Sequence, residues 1–167
     1  MVVNAVRAKP RRGGFAEGEE DSVIRAAAAF QNGRMGKAVL VGRPDVVKAG
    51  MRRAGIDENL LEIRVPHSAQ DAAPFIDTLY KRIQRRGGLF RDAVRLVTND
   101  RNVYAASMLQ AGEADAMVTG VTRNYANVLA DVRMVLDPPK GQRPMGMQVI
   151  FSRGRVVLIA DTSVTEM

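Results

Sequence analysis

The chain has 167 residues, 46% of them hydrophobic, with a formal charge of +7 and no cysteine. That length suits one core of ordinary size, and the apolar share excludes wholesale disorder. The missing cysteines exclude disulfides, thiolate metal sites and cysteine nucleophiles, and no stretch approaches the roughly 18 apolar residues of a membrane span.

The N-terminus, MVVNAVRAKPRRGG, is a basic arm without the apolar core of a signal peptide. With the absence of cysteine, this leads us to expect a cytoplasmic chain with no membrane partner. The single His67 follows Pro66 in a predicted turn, so a histidine metal cluster or a Ser-His-Asp triad is not expected. Basic charge raises nucleic acid as a partner. Against it stand five Phe, three Tyr and no Trp, all scattered, with no nucleic-acid module in view. A small anionic ligand accounts for arginine equally well.

In chain order, Gly13 to Glu17 reads as a strand. The next helix carries Glu19, Glu20 and Asp21 in its first turn, where they complement the dipole, and an apolar face of Val23, Ala26, Ala27 and Phe30. Gly33 or Gly36 should end it. Lys37 to Val41 is a buried-type strand turned by Gly42. Pro44 opens a helix to about Ala54, with Gly55 as its stop. Leu60 to Val65 alternates as a strand does. Ser68 or Asp71 can cap a helix to Arg86, and Leu89 to Val97 is a short helical pattern.

Residues 101–111 form a further helix with a stripe of Val103, Ala106, Met108 and Leu109, halted at Gly112. Ala114 to Thr119 is the next strand. Gly120 ends it, and Thr122 and Asn124 are candidate caps for a helix over Tyr125 to Leu136. Pro138–Pro139 forbids extension. Met147 to Ser152 and Arg155 to Ala160 flank Arg153–Gly154 as a hairpin. Met108, Met117, Met134 and Met147 are expected as core filler.

Strands separated by helices imply a three-layer αβα sandwich with a mostly parallel sheet. We expect residues 1–137 to form this lobe. Residues 138–167 should form a linker and, with the hairpin, the truncated start of a second α/β lobe. Open α/β sheets hold ligands outside the carboxyl ends of their strands, where helix N-termini and Gly turns favour anions.

The order FAEGEEDSVIRAA, AVLVGR, AGEADAMVTGVTRNY and VVLIADTSV resembles the phosphotransacetylase family of phosphate acetyl- and butyryltransferases. Within it, KPRRGGFAEGEE, LYKRIQRRGG, DRNVYAASMLQAGEADAMVTGVTRNY and IADTSV are most similar to the phosphotransacetylase-like region of bacterial NADP-dependent malic enzymes. The resemblance covers the N-terminal half of the family domain. It implies two α/β lobes around a cleft for CoA and acyl phosphate, dimerisation through the second lobe, and a malic-enzyme catalytic domain upstream in a parent chain. It also implies that the family's second-lobe catalytic residues lie beyond Met167. In the transferases a Ser-Thr pair and then an Arg-Pro pair serve the phosphate end of the substrate. Here those positions hold Asn124 and Tyr125, then Ala130 and Asp131.

The candidate ligand residues are therefore Gly42 and Arg43, then Gly120, Thr122, Arg123, Asn124 and Tyr125, then Asp161 and Thr162. Each has a plainer alternative: a turn, a cap or a solvated arginine. Glu17 is expected as a structural hydrogen-bond acceptor, Gly18 permits close approach of a ligand, and Asp100-Arg101 is expected as a helix cap with a local ion pair. No catalytic residue and no metal is assigned, and the chain needs no resident cofactor.

Two functions follow as expectations. One is a regulatory module that senses acetyl-CoA in a malic enzyme and lacks transferase activity. The other is a phosphate acetyltransferase. A third, an oligomerisation scaffold, is motivated by the apolar hairpin, and a homo-oligomer is expected.

Overall fold

A computed structural model describes residues 2–65, 72–152 and 154–160. It divides into two compact units, Met1–Leu136 and Asp137–Met167. In the first, the basic arm is a short helix, α1 (Val2–Ala8), where no helix was expected. The strands are β1 (Arg11–Phe15), β2 (Gly36–Val41), β3 (Glu62–Arg64) and β4 (Ala116–Val118). They lie in the order β3-β2-β1-β4, and every pairing is parallel.

The helices are α2 (Asp21–Asn32), α3 (Pro44–Arg53), α4 (Ala73–Ile83), α5 (Phe90–Asn99), α6 (Arg101–Gln110) and α7 (Tyr125–Val135). A 3-10 turn over Gln84–Arg86 follows α4. The αβα architecture and the parallel sheet agree with the sequence pattern.

Strand β2 organises the layers because its side chains alternate faces. Ala38 and Leu40 enter one core with Phe15, Ile24, Ala27, Val47 and Met51, beneath α2 and α3. Val39 and Val41 enter the other, with Ile76, Leu79, Val97, Val103 and Met108 of the remaining helices. A strand buried on both faces must be apolar throughout, which explains the run AVLV. Truncating fully buried Leu40 to Ala should cost about 3 kcal/mol through lost burial and the cavity left behind.

Helix α6 departs from a one-face pattern. Every residue from Asn102 to Met108 is buried. The small side chains of Ala105, Ala106 and Ser107 let neighbours close over it from several sides, so a stripe of four apolar residues understates its burial. Gly112, at φ 76°, ends it as expected. After α2 the left-handed residue is Arg34, at φ 55°, whereas Gly33 is right-handed. The first strand runs earlier than expected, which leaves Glu17 beyond its end.

The proposed caps Ser68 and Asp71, together with His67, lie outside the described residues. The second unit contains an antiparallel pair, β5 (Met147–Ser152) and β6 (Arg155–Ala160), with Val149 opposite Leu158. Both strands are exposed throughout. Met147 is thus exposed, while Met108 is buried and Met117 and Met134 pack against a core. Among the described residues, no helix is long and apolar enough to cross a membrane.

Candidate functional site

Two features meet at the carboxyl ends of the parallel strands. The first is the turn after β4. The strand order reverses between β1 and β4, and such a switch point commonly receives a ligand in open α/β sheets. Here the chain fills it with its own carboxylate. Glu17, at 1% exposure, follows β1 and reaches across to the turn. Its Oε2 accepts N–H bonds from Gly120 at 2.9 Å and Val121 at 2.6 Å. Its Oε1 accepts the N–H of Thr122 at 2.8 Å and the Thr122 hydroxyl.

Burial alone would raise the Glu17 carboxyl. The Thr122 hydroxyl and the three N–H groups outweigh it and hold the carboxyl below its ordinary value. Glu17 is therefore the structural acceptor its position suggested. The N–H groups of Gly120 and Thr122 are directed to it rather than to the cleft. Gly18 likewise makes room for the protein itself, since a Cβ there would stand 2.8 Å from that of Leu40.

The second feature is an open cleft of about 400 Å³ beside this turn. Its walls come from the ends of β2 and β3, the end of α5, the start of α6 and the segment after β4. Arg43, Arg101 and Arg123 bring cations to it, and Glu19 and Asp100 bring carboxylates. Tyr104 and Val97 supply apolar wall.

Each arginine is held. Arg43 donates from Nε and Nη2 to the two oxygens of Glu19, both at 3.0 Å. That hydrogen bond is the main cause holding the Glu19 carboxyl below its usual range. Gly42 accommodates the pair, because a Cβ there would come within 2.8 Å of the Glu19 Cγ. Arg101 donates from Nη2 to the Thr122 hydroxyl at 3.2 Å, and its Nη1 lies 4.0 Å from Glu20.

Arg123 donates from Nη1 to Asp100 at 2.6 Å and to Asp131 at 3.0 Å. The bond to Asp100 is the chief reason its guanidinium is held above its ordinary value. Asp100 also caps α6, accepting from Asn102 and Val103 N–H through its other oxygen. The expected cap is present, but the ion-pair partner of Asp100 is Arg123, across the fold, rather than the adjacent Arg101. Buried Asn102 joins the network. Its amide donates to Asp131 at 3.3 Å, and its oxygen accepts the Thr119 hydroxyl at 2.7 Å.

Of the sequence candidates, Gly42, Arg43 and Arg123 line the cleft together. Thr122 stands behind it, between Glu17 and Arg101. Asn124 caps α7 by accepting the Asn127 N–H at 3.0 Å. Tyr125 begins that helix and is half exposed. Asp161 and Thr162 lie outside the described residues.

Arg101 and Glu19 were not among the candidates, although both line the cleft. Their signal was topological: each directly follows a segment ending at the same sheet edge. The arrangement can hold an anionic group between guanidinium forks. Among the described residues, no group of three or more His, Cys, Asp or Glu side chains could hold a metal ion.

Fold and site together define an α/β domain with an arginine-lined cleft at its strand ends. The family model described as "Phosphate acetyl/butaryl transferase" matches residues 1–167, and the chain belongs to that family. It is 45% identical to the NADP-dependent malic enzyme of Rhizobium meliloti, over 99% of this chain and 22% of that protein. It is 27% identical to the phosphate acetyltransferase of Synechocystis sp., over 84% of this chain and 20% of that protein. The chain thus spans about a fifth of these relatives. Among solved structures, the EutD phosphotransacetylase of Staphylococcus aureus superposes with a TM-score of 0.85 at 17% identity, covering 98% of this chain and 51% of that one. The shared fold is that of phosphotransacetylases.

Proposed function

We propose that this chain is a phosphotransacetylase-like regulatory module of a malic enzyme, which binds acetyl-CoA in the arginine-lined cleft and is not itself a transferase. The phosphates of CoA would meet Arg101 and Arg123, and binding would bias the conformation of an attached catalytic domain. The similarity to malic enzymes over nearly the whole chain supports the setting.

One observation supports the reading that the chain is not a transferase. Arg123 is shared between Asp100 and Asp131. The family resemblance further implies that Asp131 stands where the transferases carry their Arg-Pro pair. Acyl transfer to phosphate develops negative charge that a preorganised cation stabilises, and one such donor is worth about 3 kcal/mol. A guanidinium committed to two carboxylates is a poor substitute.

Calorimetric titration with millimolar acetyl-CoA tests the binding, which should weaken in Arg101→Gln. Absence of heat at that concentration defeats it. In a chain joined to its malic-enzyme domain, acetyl-CoA should change malate oxidation, since allosteric couplings are typically about 1–3 kcal/mol.

The second reading, a phosphate acetyltransferase, is favoured by the similarity to the Synechocystis protein. Formation of acetyl phosphate from acetyl-CoA and phosphate, lost in Arg123→Gln, would establish it instead.

A further inference from the structure

Asp131 contributes to no wall of the cleft, yet it holds a cation that does. Its Oδ2 lies 3.0 Å from the Arg123 Nη1, and its side chain is only 19% exposed. The same oxygen accepts the amide of Asn102, a residue buried at 1% exposure. Asp131 is thus fixed from both sides in the position an anion would take behind Arg123. Asp100 grips the same nitrogen, but its second oxygen caps α6, so its removal would disturb a helix. Asp131 makes no such backbone contact among its described partners. It can lose its charge while an amide of the same shape still accepts from Asn102.

We infer that Asp131 is an internal counter-anion that sets the affinity of the cleft, competing with an entering phosphate group for Arg123. This rests on the assignment of the cleft as an anion site and adds the residue that tunes it. Two carboxylates on one guanidinium nitrogen leave that group little positive field to offer outward. A phosphate oxygen in the cleft must share that guanidinium with both, and Asp131 is the one whose charge can be removed without disturbing a helix cap. A neutral amide at position 131 would leave Arg123 with a single carboxylate, so that more of its positive charge is available to the ligand. The cleft would then bind all phosphate-bearing ligands more tightly, with a steeper dependence on salt.

The experiment uses the full chain, with inorganic phosphate and acetyl-CoA as separate probes. Asp131→Asn should bind each about fivefold more tightly than wild type, the scale of a partly exposed charge pair. Adding Arg123→Gln to that variant should abolish the gain, which a general change of charge or packing would not do. Thermal unfolding checks that each variant folds, and Asp131→Ser supplies the same measurement if the Asn variant does not.

If wild type binds and the folded Asp131 variants bind equally or more weakly, the competition is overturned while the cleft assignment stands. A gain that persists in the double variant overturns it too, because Asp131 would not act through Arg123. If neither wild type nor variants bind either probe, the cleft assignment fails and this inference with it.

Discussion

The turn after β4 and the cleft beside it meet the same requirement, a negative charge at the ends of parallel strands, in two different ways. In the turn, Glu17 is buried and takes three backbone N–H groups and one hydroxyl. These donors cannot move without breaking the β4–α7 connection. In and behind the cleft, Glu19, Asp100 and Asp131 meet guanidinium groups that are partly open to solvent. Under the proposed function such pairs would exchange for a ligand, because a phosphate oxygen can replace a carboxylate on a guanidinium group. A fold can therefore fill its switch point with a structural anion and leave exchangeable charge next to it.

The contrast is sharpest in stability. Glu17→Gln replaces an acceptor pair with an amide whose NH2 faces N–H donors, and should cost about 3 kcal/mol in denaturant unfolding. A loss below about 1 kcal/mol would place Glu17 in the same class as the cleft carboxylates. Acid should show the same difference. The Glu17 carboxyl is lower in the folded chain than its ordinary 4.5. Its contribution is thus complete above that value and is lost as pH falls below it. Wild type should lose stability over that acid range more steeply than Glu17→Gln.

Asp100→Ala removes the α6 cap and one partner of Arg123 together, and should destabilise by about 1–2 kcal/mol. The smallest effect belongs to the rim. Arg43→Ala breaks an exposed pair with Glu19, and denaturant unfolding should barely register the change. If Arg43→Ala cost as much as Glu17→Gln, the distinction between fixed and exchangeable charge would collapse.

Much of the fold was legible because its signals are local. AVLV has no polar residue to face solvent, Pro44 and Gly55 bracket a helix, and Asp100 has the chemistry of a cap. The αβα layering follows from strands that alternate with helices. The α1 helix was not legible, since VVNAVRA is brief and its order depends on neighbours, including the Arg7 bond to the Gly33 carbonyl at 2.7 Å.

At the cleft, the positions of Gly42, Arg43 and Arg123 on its wall were legible because each follows a strand. Their partners were not. Glu17 meets Gly120 to Thr122 across more than one hundred residues, and Arg123 meets Asp100 across 23. Such pairings depend on strand order, and nothing in the local sequence states that β4 lies beside β1. The N–H groups after β4 looked available for an anion because the anion that takes them comes from the turn after the first strand.

The most direct measurement is an amide NMR titration of the full chain with acetyl-CoA. Ligand in the arginine cleft should shift the resonances of Gly42, Arg43, Arg101 and Arg123, while Gly120 and Val121 stay nearly fixed on Glu17. Shifts concentrated at Gly120 and Val121, with Gly42 and Arg101 unmoved, would contradict the account.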